Sequence, residues 1–154
     1  MRKSILLLLL LGSFHAGARD TSAQCACATE YRDITPHKEF NLADAVFIGK
    51  VIEIKKTARD KDTGGYVETV KFEVTKAWRR DLETFVVITN KIRGCINGFE
   101  ENEEWLVYAY ESKGGTLGTY CCCSRTRPLA KASEDLKEFE AKGERPTIIK
   151  RPRE

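Results

Sequence analysis

Ala45-Val46-Phe47-Ile48-Gly49-Lys50-Val51-Ile52-Glu53-Ile54 is rich in β-branched residues and begins to alternate in its second half, the signature of a long strand. Gly49 in its middle marks a bulge or bend. Residues 60–65 read as a turn. In residues 67–78, Val70, Phe72 and Val74 then face one way while Lys71, Glu73 and Thr75 face the other, which predicts a half-buried strand pairing with the first as a hairpin. Arg79-Arg80-Asp81 breaks it. Residues 85–89, 105–110 and 116–121 predict three further strands, separated by the glycine-containing segments 94–98 and 113–115. After Pro128 the period becomes helical, with Ala132, Leu136 and Phe139 on one face and Gly143 and Pro146 as the stop, and a shorter helical turn is expected over residues 39–43. Five short strands and a C-terminal helix predict a mainly β protein, a small barrel of the oligonucleotide/oligosaccharide-binding (OB) type, because closure removes exposed strand edges.

The first 24 residues read as a secretory signal: Arg2-Lys3 is a positive start, residues 5–11 an apolar run and small residues follow. That run is too short to span a bilayer, and no later stretch is long and apolar enough, so stable membrane insertion is not expected. Ala16-Gly17-Ala18 fits a cut as early as residue 18, whereas a cut after Gln24 makes Cys25 the first mature residue. The expected destination is extracellular, or periplasmic or cell-surface in a bacterium. In such oxidising spaces the six cysteines are expected to be structural.

The remaining residues, about 130, suit one domain, over 25–143, followed by a basic tail over 144–154 that reads as a solvated end. Taking Arg2, Lys3, Arg19 and Asp20 away from 26 bases and 23 acids leaves 23 against 22. This near balance argues against nucleic acid as a partner. Catalysis is not expected either. Outside the signal His37 is the only histidine, and it reads as an exposed turn residue. The chain lacks Gly-x-Ser-x-Gly and His-Glu-x-x-His, and the acid pairs Glu100-Glu101 and Glu103-Glu104 read as a solvated turn. Trp78, Trp105, Tyr108 and Tyr110 fall in strand patterns, as core or barrel surface. No cofactor is implied and the protein reads as a monomer.

Cys25-Ala26-Cys27 is the chemically informative motif. Cysteines one residue apart do not meet the geometry of a relaxed bridge, so each needs a distant partner among Cys95, Cys121, Cys122 and Cys123. Together with Pro36-His37, Phe40, Asp44 to Val51, Gly94-Cys95 and Cys123-Ser124, in that order and near that spacing, the motif resembles the N-terminal, netrin-like domain of the tissue inhibitors of metalloproteinases. The second, cysteine-rich domain of the animal proteins has no counterpart, as in single-domain bacterial-type versions.

The resemblance implies disulfides Cys25–Cys95 and Cys27–Cys123, each closing a loop long enough to contribute roughly 4 kcal/mol in the chain-entropy model. It also implies an inhibitory ridge of Cys25, Ala26, Cys27, Arg93 and Gly94, in which the free α-amino nitrogen and carbonyl oxygen of Cys25 chelate the catalytic zinc of a target protease. They take the position such sites leave open for water, and Ala26 then points into the pocket beside the zinc. The partner implied is an extracellular zinc metalloproteinase; the alternative is a secreted netrin-like binding module without inhibition. Family members carry Thr or Ser where this chain has Ala26, and a third bridging cysteine where it has Asn41. Cys121 and Cys122 are therefore surplus: a vicinal bridge, free thiols, or competitors of Cys123 for Cys27.

Overall fold

The computed structural model describes residues 33–59, 61, 64–92, 97–120 and 123–150. Helix α1 (Pro36–Leu42) leads into strands β1 (Ala45–Lys56), β2 (Tyr66–Trp78), β3 (Leu82–Glu83), β4 (Phe85–Ile92), β5 (Glu104–Glu111), β6 (Leu117–Gly118) and β7 (Arg127–Pro128). A 3₁₀ turn (Leu129–Lys131), helix α2 (Ser133–Ala141) and strand β8 (Ile149–Lys150) complete the chain. The main sheet is antiparallel in the order β4-β2-β1-β5-β6, with β7 on the same side of β5 as β6 but at its other end. It curls into a nearly closed barrel backed by the C-terminal helix.

The first half of β1 is an unbroken apolar run because both of its faces are buried. Ala45, Phe47 and Val51 enter the barrel interior with Val70, Phe72, Ile88 and Val107. Val46 and Ile48 point the other way, into a second cluster with Phe40, Trp78, Leu106, Tyr108 and Phe139, where α1 and α2 cover the sheet. Gly49 does mark a bulge: the β1–β2 register shifts between Ile48 and Gly49. A Cβ there would lie 3.1 Å from Phe72 Cβ and 3.2 Å from the Phe47 ring, so the bend lets two aromatic side chains pack over bare backbone.

The hairpin, the break at Arg79 and the helix after Pro128 fall where the sequence put them, and Trp78, Trp105 and Tyr108 are buried. Several boundaries differ. The predicted 39–43 turn is the helix Pro36–Leu42, with Pro36 in its first turn and Thr35 Oγ1 accepting from Lys38 N–H at 3.3 Å. His37 accordingly sits on a helix, half-buried, with Nε2 3.0 Å from Asn41 Nδ2. The fifth strand spans only Leu117–Gly118, because the Thr119 N–H turns to a side chain instead of a neighbouring strand. Residues 144–150 run back along the sheet: Thr147 N–H donates to Ala77 O at 2.7 Å, and Ile149 packs against the interior cluster beside β3.

Candidate functional site

Cys25, Ala26, Cys27, Arg93, Gly94, Cys95, Cys121 and Cys122 lie outside the described residues. Cys123 lies within them; it is half-buried and disulfide-bonded. The described neighbours of these positions are Ile92 and Asn97 on one segment and Tyr120, Cys123 and Ser124 on the other. Two sets of hydrogen bonds organise them.

The first set closes the barrel. Among the described residues β4 pairs only with β2, and β6 only with β5, so the last seam carries no backbone ladder. A buried side chain substitutes for it. Asn90 Oδ1 accepts from Thr119 N–H at 2.8 Å and from Thr119 Oγ1 at 3.2 Å, and Asn97 Nδ2 donates to Thr119 Oγ1 at 2.6 Å. A β-carbon on Gly118 would stand 2.9 Å from Thr89 O, so only glycine lets β6 approach β4 this closely. Asn97 follows Cys95 by two residues in the sequence and Thr119 precedes Cys121 by two, so this bond joins described residues that flank the cysteines.

The second set fixes the segment after Cys123. Arg125 forks onto Asp135, with Nε to Oδ1 at 2.7 Å and Nη2 to Oδ2 at 3.1 Å, and Nη2 also reaches Glu134 at 2.6 Å. Its Nη1 donates to the carbonyl of Ile34, seven residues beyond Cys27 in the sequence, at 3.3 Å. Its backbone N–H donates to Glu39 Oε2 at 2.7 Å, while Ser124 Oγ and Tyr110 O–H donate to Glu39 Oε1. Tyr108 O–H completes the group by donating to Asp135 Oδ1 at 2.7 Å. The Tyr110 ring packs against Tyr120, 4.4 Å between centroids, so this cluster continues into the seam.

The electrostatics follow from burial. Desolvation pushes the Glu39 carboxyl above its usual 4.5, against its three hydrogen bonds and the Arg125 charge, which pull it down. Burial, then the neighbouring Asp135 charge, push the Tyr108 phenol up, and hydrogen bonding to Asp135 holds the Arg125 guanidinium charged. The folded state thus holds the Glu39 proton more tightly than the unfolded one. Glu39 contributes stability that is full below 4.5 and is lost as pH rises through its raised folded value. In Glu39→Gln, urea titrations across pH 4–8 are expected to lack this component, so the wild-type minus variant stability declines with rising pH; a flat or rising difference refutes it.

Sequence reasoning missed this cluster, although α2 carried its signal. Asp135 lies on the same helix face as Ala132 and Phe139 and is fully buried. A charge on an apolar face implies a partner. Glu100, Glu101 and Glu104 are exposed around the turn at 101–102, and Glu103 accepts from Trp105 Nε1 at 2.8 Å. Groups of three or more metal-ligating side chains do not occur among the described residues. Compared with known proteins, the chain matches no family model and no curated protein.

Proposed function

We propose that this chain is a secreted, single-domain inhibitor of zinc metalloendopeptidases, built on a netrin-like, OB-type barrel and acting through the backbone of Cys25. The observation that carries the reading is the side-chain bonding around the cysteine segments. Asn97 to Thr119 joins the flanks of Cys95 and Cys121–Cys123, and Arg125 to Ile34 joins the flank of Cys123 to the chain that follows Cys27. A Cys-x-Cys motif with two distant partners needs those partners close together, since a disulfide spans only about 4.4–6.8 Å between α-carbons. The bonds between these flanks support such proximity.

In the proposed mechanism, Cys25–Cys95 and Cys27–Cys123 hold residues 25–27 as a stiff ridge beside Arg93 and Gly94, so that docking into a protease cleft orders little chain. The sulfur of Cys25 is consumed in its bridge, which leaves its amine and carbonyl as ligands. An α-amine with a pKa near 8 gives up its proton on coordination, a cost that zinc binding offsets. Ala26, lacking the hydroxyl of Thr or Ser, fills the neighbouring pocket with a methyl group alone.

The experiment compares protein beginning at Cys25 with protein carrying one extra N-terminal residue, both checked by non-reducing peptide mapping and assayed against a panel of zinc endopeptidases. The free-amine form is expected to inhibit. In the extended form the nitrogen is an amide with no lone pair for zinc, and inhibition is expected to disappear. Equal inhibition by both forms rules out chelation. If the free-amine form inhibits nothing on the panel, the protein is a binding module.

A further inference from the structure

Asn97-Gly98 is the one Asn-Gly pair in the sequence. Asn97 is also a side chain of the closing seam, through Nδ2 to Thr119 Oγ1 at 2.6 Å. We propose that Asn97 is a site of spontaneous covalent modification, where intramolecular deamidation turns the amide into a carboxylate and loosens the seam from within.

The reaction requires the main-chain nitrogen of the next residue to reach the side-chain amide carbon. Gly98 lies outside any helix or strand and is exposed, and a β-carbon on it would meet nothing within 4 Å, so solvent base has access to its N–H. Among the described residues none accepts a hydrogen bond from that N–H. Its φ of 75° is one that glycine takes readily, so the turn itself calls for an unhindered neighbour. Hydroxide removes the Gly98 proton, the freed electron pair bonds to Asn97 Cγ, the Cγ–Nδ2 bond breaks and the nitrogen leaves as ammonia, taking a proton from water. Water then opens the cyclic imide. Attack at Cγ leaves aspartate; attack at the main-chain carbonyl leaves isoaspartate, whose main chain runs through the side-chain methylene. Water is consumed, ammonia is released, and nothing is oxidised or reduced.

The other asparagines, Asn41, Asn90 and Asn102, lack these conditions. Asn41 lies in α1 and Asn90 in β4, where regular backbone holds the next nitrogen away from the amide carbon. Asn102 precedes Glu103, whose N–H donates to Glu100 O at 3.3 Å and whose side chain crowds ring closure. Modification at Asn97 also has a defined structural effect. Thr119 Oγ1 accepts from Asn97 Nδ2 and donates to Asn90 Oδ1 at 3.2 Å. A carboxylate at position 97 has no donor, so it and Asn90 compete for the single hydroxyl proton.

The test incubates the folded protein in mildly acidic and mildly alkaline buffer, then maps its peptides by mass spectrometry, with an isoaspartyl methyltransferase reporting the iso form. The peptide holding residues 97–98 is expected to exchange NH₂ for OH progressively, faster in alkaline buffer, while the peptides of Asn41, Asn90 and Asn102 stay unchanged. The modified fraction, separated from unmodified protein by ion exchange, is expected to melt about 2–8 °C lower, the size of one ordinary hydrogen bond lost from a domain of this length. Asn97→Asp, which reproduces the aspartate product, should melt lower in the same way, and Asn97→Gln should remain unmodified on the same timescale. Urea-unfolded protein is the reference for the reaction without the fold. Conversion at Asn97 in urea but not in the folded protein, conversion at another asparagine instead, or a modified fraction with an unchanged midpoint each overturn the proposal.

Discussion

Arg125→Met is expected to destabilise the domain by about 3–5 kcal/mol, the usual cost of removing one partner of a buried ion pair. The reason is what stays behind. The Asp135 side chain is fully buried, and without the guanidinium it keeps the Tyr108 hydroxyl and a single, longer contact with Arg127 at 3.9 Å. Such a carboxylate is a buried charge that has lost its closest counter-charge. The same substitution removes the bond to the Ile34 carbonyl. Urea denaturation with an unchanged m-value measures the loss. Adding Asp135→Asn to Arg125→Met should recover part of it, because the stranded charge goes too. A loss below about 1 kcal/mol for Arg125→Met would show that the pair acts like an exposed one.

Phe139→Ala is expected to cost a comparable amount, about 3–5 kcal/mol for a large aromatic deleted from a core. Phe139 is 2% exposed and packs its ring against Phe40 at 4.7 Å, Trp78 at 5.3 Å and Tyr108 at 6.2 Å. It joins α2 both to α1 and to the sheet. With nine residues, α2 is too short to be helical by itself. Far-ultraviolet circular dichroism should therefore show helix loss before the strands melt. Phe139→Leu, which keeps most of the volume, should lose much less; equal losses would mean that ring packing is not what anchors the helix.

How far the sequence discloses this arrangement depends on the range of the forces involved. Alternation in β2 and the β-branched run of β1 are local signals, and they predicted the hairpin and the glycine bend. Phe139 was found for the same reason, through helical spacing. What stayed hidden rests on partners far along the chain. Asn90 reads as one polar residue near the end of an apolar strand until Thr119 is known to lie across the gap. Ser124 and Arg125 read as loop until Glu39 and Asp135 are placed around them. Thr147 and Ile149 are tail-like by composition, and only the open end of the sheet beside Leu82 gives them a place. The disulfide framework expected of the cysteines involves residues 25–27, 93–96 and 121–122, outside the described residues.

The seam also carries an implication for the order in which the molecule is made. Strands β1 and β2 are neighbours in the chain, so their pairing closes a short loop at small entropic cost, whereas joining Asn90 to Thr119 brings together residues 29 positions apart. It also gains only side-chain bonds at that step. The barrel should therefore fold from the hairpin outward and shut along this line last. Until it shuts, the segments leading to Cys95 and Cys121–Cys123 are not adjacent. On that schedule the disulfides proposed above would form after folding, with the barrel as the template that selects among the cysteines.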